Sequence, residues 1–224
     1  PFFSAMRRQR PFVIAKIATS LDGRVASGPG ARTHMTGRSA DRRSQLLRAE
    51  VDAVGVGSGT VLADDPLLTV RHVYRRRPLA RVVFDRRLRT PATARLFSTL
   101  SSGPVLIVTT PAMADARASH ARDLERAGAT LVRVHAAGIE AAVAARLPFN
   151  IQSLLVEGGT TLHESAWAAG VIDAVRVLVT PRVLGPSGLP WVAWSRLSLP
   201  SLFNLRVEPC GPDVMIEGDV YRLD

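Results

Sequence analysis

Short apolar runs rich in β-branched residues recur along this chain, and polar or helix-forming stretches separate them. The runs are FVIAKIAT (Phe12–Thr19), VDAVGVG, ARVVFD (Ala80–Asp85), PVLIVTT (Pro104–Thr110), TLVRV and SLLV. Their nearly continuous apolar character is typical of strands that are buried on both faces, as in a parallel sheet. Because helical segments alternate with these strands, the sequence predicts an α/β fold with a mostly parallel central sheet and helices on both faces.

Helices are predicted between the strands, and the chain ends in two strands with no helix between them. The predicted helices run from an N-cap at Ser39 to Glu50, over Asp115–Ala127, over Ile139–Arg146, and from paired glycines to a C-cap at Gly170. The final strands, Asp173–Pro181 and Asp213–Leu223, predict an antiparallel strand at one edge of the sheet. A long loop between them carries Trp191 and Trp194, and loops of that length are usually functional or buried at a contact.

Length and composition favour a single domain. The chain has 224 residues, of which 46% are hydrophobic, and we expect an arm or interdomain linker over residues 1–11 and one domain over residues 12–224. No apolar run approaches the roughly 18 residues that span a bilayer, and no signal peptide is recognisable. The single cysteine, Cys210, excludes an intramolecular disulfide and fits a reducing cytoplasm. The first residue is not Met, so we expect either a trimmed chain or a piece of a longer protein.

The chain is strongly basic, with a net charge of +10, and all but one of its 29 basic residues are arginine. Such an excess suits nucleic-acid binding, but a general preference for arginine over lysine explains it better, because arginine is spread along the whole chain and no aromatic residues interleave the basic clusters regularly. Arginines also suit the phosphates of a small ligand. The one lysine, Lys16, lies in the first strand, where a buried ammonium is costly unless it is paired or used.

Polar residues follow the predicted strands, at the edge of the sheet where α/β proteins bind ligands. The clearest case is Glu157-Gly158-Gly159-Thr160-Thr161, because two glycines let a ligand approach the backbone and the following amides open a helix that favours an anion. A tight strand-to-helix turn without a ligand explains the same pattern. Asp64 and Asp65 precede Pro66 and suit either proton transfer or a simple Asx turn.

Several familiar signatures are missing. Gly55, Gly57 and Gly59 give G-x-G-x-G, which is one residue short of the Rossmann fingerprint. The sequence also lacks a P-loop, a zinc-deaminase signature and a serine-hydrolase elbow. The five histidines show no spacing typical of metal ligands, so we expect no metal centre. Any dinucleotide must therefore be bound by another arrangement.

Four motifs, in order, resemble the reductase domain of the riboflavin-pathway deaminase/reductase. They are RPFVIAKIATSLDGRVA, LLRAEVDAVGVGSGTVLADDPLLTVR, LLVEGGTTLHESAWAAGVIDAVRVLVTPRVLG and CGPDVMIEGDVY. The resemblance implies the fold of dihydrofolate reductase and the NADPH-dependent reduction of the ribosyl group of 5-amino-6-(5-phosphoribosylamino)uracil to a ribityl chain. It implies ring opening and hydride delivery to C1 of the sugar. It also implies an upstream deaminase domain or partner, since FFSAMRRQRPFV resembles the joint of fused enzymes, and a homodimer.

The same resemblance implies the site residues. Cofactor contacts are implied for Ala18, His34, Thr60, Asp64, Arg86, Gly159, Thr160, Thr161, Leu162, His163, Glu164 and Ser165. Substrate contacts are implied for Arg32, Arg48, Leu68, Arg71 and Glu157. The expected catalytic residues are Lys16, which would donate to the sugar oxygens, and Asp64, which would relay or orient a proton. His34 and Arg32 depart from the residues that many relatives carry in this loop, which affects nucleotide affinity and substrate identity.

The leading interpretation is thus a reductase with a phosphorylated small-molecule substrate and no nucleic-acid or membrane partner. One alternative is an NADPH-dependent reductase of the same fold that acts on another small carbonyl or pterin-like compound. A second alternative, from a different class, is a basic nucleic-acid-binding or scaffold protein. Salt-sensitive binding of oligonucleotides without any thermal shift from NADPH would favour the second alternative.

Overall fold

The structure is a computed structural model that describes residues 8–28, 33–135, 138–144, 149–192 and 201–220. Arg32 and Trp194 lie outside the described residues, as do the predicted end of one helix beyond residue 144 and the predicted end of the last strand beyond residue 220. The remaining elements can be compared directly with the sequence.

Eleven strands lie in the described part of the chain, nine of them in one sheet. They are β1 (Phe12–Ser20), β2 (Arg24–Ala26), β3 (Ala53–Gly57), β4 (Ala80–Phe84), β5 (Val105–Thr109), β6 (Ala129–Arg133), β7 (Ser153–Val156), β8 (Ala174–Thr180), β9 (Leu189–Pro190), β10 (Phe203–Cys210) and β11 (Asp213–Asp219). The large sheet has the order β10-β11-β8-β1-β7-β3-β4-β5-β6. Its pairs from β8 to β6 are parallel, whereas β11 and β10 are antiparallel to their neighbours.

Helices cover both faces of this sheet. They are α1 (Arg38–Glu50), α2 (Ser58–Asp64), α3 (Pro111–Ala116), α4 (Ala118–Arg126), α5 (Ile139–Ala144) and α6 (Thr160–Ala168), with a 3-10 helix over Arg95–Ser102. One core cluster packs Leu47 of α1 and Leu124 of α4 against alternate strand residues such as Val83. The opposite cluster packs Val143 of α5 and Leu162 of α6 against the other strand face. The predicted fold class, a mostly parallel sheet between helices with an antiparallel C-terminal edge, is confirmed.

Some predicted element ends are wrong, and tertiary contacts explain them. Helix α1 has its N-cap at Gly37 and not at Ser39, because the Asp213 carboxylate accepts a hydrogen bond from the Gly37 amide at 2.7 Å. The helix predicted over Asp115–Ala127 is two helices, α3 and α4. They meet at Arg117, which has a non-helical backbone (ψ 39°) and donates a side-chain hydrogen bond to the carbonyl of Leu88 at 2.7 Å. Helix α6 ends at Ala168 and is capped by Ala169, one residue before the predicted cap, and Gly170 follows at φ +62°.

The outermost strand, β10, is absent from the sequence prediction. It pairs antiparallel with β11, so the C-terminal strand is the second in the sheet and not its edge. Its sequence, FNLRVEPC, alternates apolar and polar residues with the period of a half-exposed strand, which is a signal that could have predicted it. Leu205 and Val207 remain 58% and 60% exposed on this strand.

The N-terminal arginines are fastened to the domain. Arg10 makes a bidentate pair with Asp173 at 2.6 and 3.0 Å, and Arg8 reaches the same carboxylate at 2.8 Å. The buried Asp173 also accepts a hydrogen bond from the amide of Val13 at the start of β1. The division into residues 1–11 and 12–224 remains a prediction.

Candidate active site

A cavity of about 990 Å³ opens at the carboxyl ends of the parallel strands, the edge predicted from the sequence. The ends of β3, β4, β5 and β7 contribute to its wall, together with β1, α1, α2 and α6. Surveyed ligand pockets span about 300–1,000 Å³, so this cavity is at the upper end of that range. Its size suits a large ligand or two ligands side by side.

Strand register brings Lys16 and Glu157 to the same wall of the cavity. Ala15 of β1 pairs with Val156, the last residue of β7, so the next residues along the two strands are Lys16 and Glu157. Strand β1 continues to Ser20 while β7 stops, which leaves Lys16 beside a strand end. Paired residues of parallel strands project to the same face of a sheet, so these two side chains face the same way.

Arg48, from the last turn of α1, completes this group. Its guanidinium grips both oxygens of Glu157, with Nε to Oε1 at 2.8 Å and Nη2 to Oε2 at 2.6 Å. Its Nη1 donates to the carbonyl of Thr69 at 2.9 Å. The Glu157 side chain is only 6% exposed, so this is a buried bidentate ion pair, which is the geometry in which arginine and carboxylate interact most strongly.

Burial and charge shift the pKa values of this group. Burial alone would raise the pKa of Glu157, but the charge and hydrogen bonds of Arg48, helped by Lys16 and His163, outweigh it and hold the pKa below its usual value. Burial lowers the pKa of Lys16, Arg48 lowers it further, and Glu157 and Asp41 oppose them without restoring the usual value. Lys16 makes no ion pair in the described part of the chain, so its ammonium is both acidified and available.

His163, on α6, is buried beside this group and held as one neutral tautomer. Its Nε2 lies 3.2 Å from the carbonyl of Val156, an acceptor, so Nε2 carries the proton. The indole N–H of Trp191 donates to its Nδ1 at 3.1 Å, and Trp191 also meets Trp167 edge to face. Burial, the largest cause, and Lys16 lower the pKa of His163 to about 4. The ring is therefore neutral near pH 7 and fixes the long loop against α6.

Two glycine-containing turns meet inside the cavity. Helix α6 begins after Gly159, which has φ +83° and offers no side-chain cap, and the amides of Thr160 and Thr161 find no hydrogen-bond acceptor in the described residues. The other turn is the one that leads from β3 into α2 and carries Thr60. A Cβ at Gly158 or Gly159 would lie 3.3 Å from the Thr60 hydroxyl, so the two turns pack closely on each other. These exposed amides at a helix N-terminus suit an anionic group.

Arginines surround the far end of the cavity, after β4. Arg86, Arg87 and Arg89 all line it, and Arg89 reaches across to the Ser58 hydroxyl at 3.1 Å. Asp85 shapes this turn, since its Oδ2 accepts hydrogen bonds from the amides of Arg89 and Thr90 at 2.6 and 2.7 Å. The arrangement gives a cluster of cationic side chains beside the glycine turns, as a phosphorylated nucleotide requires.

The opposite end carries a mixed polar group. Asp41, in the first turn of α1, accepts a hydrogen bond from Thr36 at 2.8 Å and lies 3.4 Å from Nε2 of His34. The exposed Arg71 also lines the cavity, and its backbone amide is held by Gln45 at 2.8 Å. The Arg71 guanidinium forms no ion pair with another described residue, so among these residues it has no ion pair to break before it meets a phosphate.

Comparison with known proteins identifies the family. Residues 11–216 match the family described as the RibD C-terminal domain. The chain belongs to this family. A curated relative, riboflavin biosynthesis protein RibD of Chlamydia trachomatis, is 33% identical over 92% of this chain and 56% of its own length. A second, named 2,5-diamino-6-ribosylamino-4(3H)-pyrimidinone 5′-phosphate reductase of Methanothermobacter thermautotrophicus, is 34% identical over 79% of this chain and 80% of its own.

A solved structure, that of Acinetobacter baumannii RibD, is 26% identical, with a TM-score of 0.81 over 99% of this chain and 61% of that chain. Among RibD relatives such as that of Actinobacillus pleuropneumoniae, the chain spans about half of the relative's length, 49% in that case. The predicted family is therefore confirmed, and the match corresponds to one part of those longer proteins.

Most site residues implied for this RibD C-terminal domain line the single cavity described above. Those that do are Lys16, Ala18, His34, Arg48, Thr60, Asp64, Arg71, Arg86, Glu157, Gly159, Thr160, Thr161, Leu162, His163 and Ser165. Leu68 does not line it, because its side chain is buried in the core on a backbone with φ +55°. Glu164 is also outside the lining, and Arg32 is outside the described residues. The roles of these residues remain predictions.

The structure adds cavity residues that the sequence prediction lacks, among them Asp41, Arg89 and Trp191. Asp41 and Arg48 are seven residues apart, about two turns, so they lie on one face of α1 and the spacing could have revealed Asp41. For Trp191 the only signal is its place in a long loop that is expected to be functional or buried, because its partner His163 is distant in sequence. Within the described ranges, no three acidic, histidine or cysteine side chains cluster as a metal site would require. No helix among those residues has the length and apolarity needed to cross a membrane.

Proposed function

We propose that this RibD C-terminal domain uses NADPH to reduce the ribosyl group of 5-amino-6-(5-phosphoribosylamino)uracil to a ribityl chain in riboflavin biosynthesis. The observation that carries the proposal is a single cavity lined by Lys16, by the Arg48–Glu157 pair and by the glycine turn before α6. The Methanothermobacter thermautotrophicus relative is named for reduction of the related 2,5-diamino-6-ribosylamino-4(3H)-pyrimidinone 5′-phosphate. That compound is accordingly the second candidate substrate.

The glycine and arginine ends of the cavity fit a phosphorylated dinucleotide. The uncapped N-terminus of α6 and the close packing of Gly158 and Gly159 on Thr60 suit the pyrophosphate. Arg86 and Arg89 suit the 2′-phosphate that distinguishes NADPH from NADH. When bound, NADPH supplies the hydride that adds to C1 of the opened sugar. The fit also supports the cofactor role predicted for the residues of the α6 turn.

The remaining end fits the substrate. Arg71 is free to bind the 5′-phosphate, and each oxygen of Glu157 retains a lone pair that can accept an N–H of the pyrimidine. We assign to the acidified ammonium of Lys16 the donation of a proton to the ring oxygen. As the C1–O bond breaks, the lone pair of the attached amine nitrogen forms a C1=N bond, and the opened sugar can then take up hydride at C1. Asp64, at the end of α2, would orient the sugar hydroxyls.

The proposal extends to partners and compartment. The chain spans about half of a RibD relative, which supports an upstream deaminase domain or partner that supplies the substrate. Exposed Leu205, Val207 and Val214 on β10 and β11 support a homodimer through this outer edge. One cysteine and a nicotinamide cofactor support a cytoplasmic location. Replacing Leu205 and Val207 by glutamate should give a monomer in analytical ultracentrifugation, and a dimer that survives both changes would contradict this interface.

The direct test is turnover with defined substrates. The protein is incubated with NADPH and each of the two ribosylamino-pyrimidine phosphates, and loss of reduced-nicotinamide absorbance is followed while the ribityl product is identified by mass spectrometry. We expect oxidation of NADPH in preference to NADH and loss of turnover in Lys16→Met and Asp64→Asn. NADPH binding without turnover of either pyrimidine, alongside turnover of a pterin or another carbonyl compound, would overturn the substrate assignment. Salt-sensitive oligonucleotide binding without NADPH binding would overturn the enzyme assignment.

A further inference from the structure

The ion pair between Arg48 and Glu157 joins two elements that are far apart in sequence. The two residues are 109 positions apart, and the pair connects the last turn of α1 to the end of β7. We propose that Arg48 is a positioning residue that keeps the carboxylate of Glu157 charged and in one orientation beside Lys16. This inference rests on the proposed function, because it assigns a task within that active site. It is separate from any contact that the outer N–H groups of Arg48 make with substrate.

Arg48 is held rigidly enough for this task. All three nitrogens of its guanidinium donate hydrogen bonds, two of them to Glu157 and one to the carbonyl of Thr69. The turn that carries it is fixed as well, since Arg75 donates hydrogen bonds to the carbonyls of Arg48 and Ala49 at 2.9 and 2.7 Å. The backbone and the guanidinium of Arg48 are therefore both fixed before a ligand enters, and Arg48 in turn fixes the orientation of the Glu157 carboxylate.

The charged groups that face Glu157 explain why Arg48 is the residue that keeps its carboxylate ionised. They come from α1 (Arg48), β1 (Lys16) and α6 (His163). The pKa of His163 is lowered to about 4, so near pH 7 the ring brings no positive charge. Lys16 forms no ion pair with Glu157 in the described structure, which leaves Arg48 as its bidentate partner. Without Arg48, burial would dominate and the carboxylate would take up a proton more readily.

The state of Glu157 in turn sets the state of Lys16. The groups that face Lys16 are Glu157, Arg48 and Asp41, and Glu157 is the strongest of the charges that keep the ammonium protonated. Arg48 donates a hydrogen bond to each oxygen of Glu157. The carboxylate therefore attracts the Lys16 ammonium through its charge, without a direct ion pair between the two. Glu157 thus favours the charged form of Lys16 while burial keeps the pKa of the ammonium below its usual value, as suits a proton donor to the sugar oxygen.

The test compares Arg48→Met, Arg48→Lys and two matched controls. Arg43→Met changes the same helix outside the cavity, where Arg43 pairs with Glu217. Arg71→Met removes an arginine from the cavity without touching Glu157. We expect Arg48→Met to lower kcat about a hundredfold and to move the acid limb of its pH profile upward by about one pH unit or more. Arg48→Lys should have a kcat within about tenfold of the parent's, because lysine keeps the positive charge but cannot make the two parallel hydrogen bonds of the guanidinium.

The controls separate positioning from binding and from folding. Arg71→Met should raise KM and leave the acid limb in place, whereas Arg43→Met should change neither. A carbon NMR titration of the glutamate side-chain carboxyls follows Glu157 directly in the ligand-free protein. We expect its titration to move upward in Arg48→Met and to return most of the way in Arg48→Lys.

The outcomes are distinct. If the parent protein turns over neither pyrimidine, the proposed function fails, and the NMR titration still tests what Arg48 does to Glu157. If both Arg48 variants raise KM alone, with an unmoved acid limb and an unmoved Glu157 titration, Arg48 is a substrate contact and the positioning role is refuted. If Arg48→Met does not fold, Arg48→Gln, which also removes the charge, replaces it in the same kinetic and NMR comparison, and an unmoved Glu157 titration in that variant refutes the positioning role.

Discussion

Acidification should destabilise this protein through one buried ring, that of His163. Its folded pKa is about 4 against 6.5 for an ordinary histidine, because burial disfavours the charged ring. The unfolded chain therefore binds more protons between these values. The stabilisation is complete above pH 6.5 and is lost as the pH falls toward 4. At about 1.4 kcal/mol per pKa unit, the folded state loses about 2 kcal/mol by pH 5 and about 3 kcal/mol by pH 4.

The assay is urea unfolding of the parent and His163→Gln at a series of pH values. Other groups titrate in both proteins, so the measured quantity is the difference between their free energies of unfolding. We expect the parent's advantage to shrink by about 3 kcal/mol between pH 7.5 and pH 4. Trp191→Phe removes the donor to Nδ1, so it should reduce the pH dependence without abolishing it. A difference that stays constant over this range would refute the buried neutral tautomer.

Three further predictions concern turnover, cofactor choice and folding. Lys16→Met should lower kcat by about a hundredfold or more while NADPH affinity measured by calorimetry stays near the parent's, and near-normal turnover would contradict its role as proton donor. Arg86→Ala and Arg89→Ala should each lower the kcat/KM ratio of NADPH over NADH about tenfold or more, and an unchanged ratio would place the 2′-phosphate elsewhere. Gly103→Ala should cost more than about 3 kcal/mol in urea unfolding, because its Cβ would lie 2.0 Å from the Leu79 carbonyl oxygen at φ +147°, and a parent-like midpoint would contradict that clash.

The sheet and the place of its ligand edge were predictable because both depend on local pattern. A run such as Val105–Thr109 is apolar throughout since both faces of its strand are buried, and the burial of all five residues agrees. Polar residues at the ends of such strands, such as Glu157 and Thr60, must then meet at one edge. Strand β10 carries a comparable local signal in the alternation of FNLRVEPC, although the sequence prediction places no strand there.

Pairings between distant residues were not predictable, because a single sequence carries no signal for them. Arg48 and Glu157 are suited to substrate when considered separately, and only the fold reveals that they bind each other. The same holds for His163, whose tautomer is fixed in part by a hydrogen bond from Trp191, 28 residues away in a loop. The start of α1 at Gly37 depends on a carboxylate 176 residues away. Such contacts decide the electrostatics of the cavity, so its chemistry follows from the structure and not from the motifs alone.

Isotope transfer measures the proposed reaction most directly. NADPH deuterated at the transferable position of the nicotinamide is mixed with the protein and the ribosylamino-pyrimidine phosphate, and the product is examined by NMR and mass spectrometry. The account predicts deuterium at C1 of a ribityl chain, with transfer slowed about a hundredfold or more in Lys16→Met. A product that carries no deuterium at C1, or no product from a protein that binds both compounds, would contradict a cavity in which the nicotinamide faces the opened sugar.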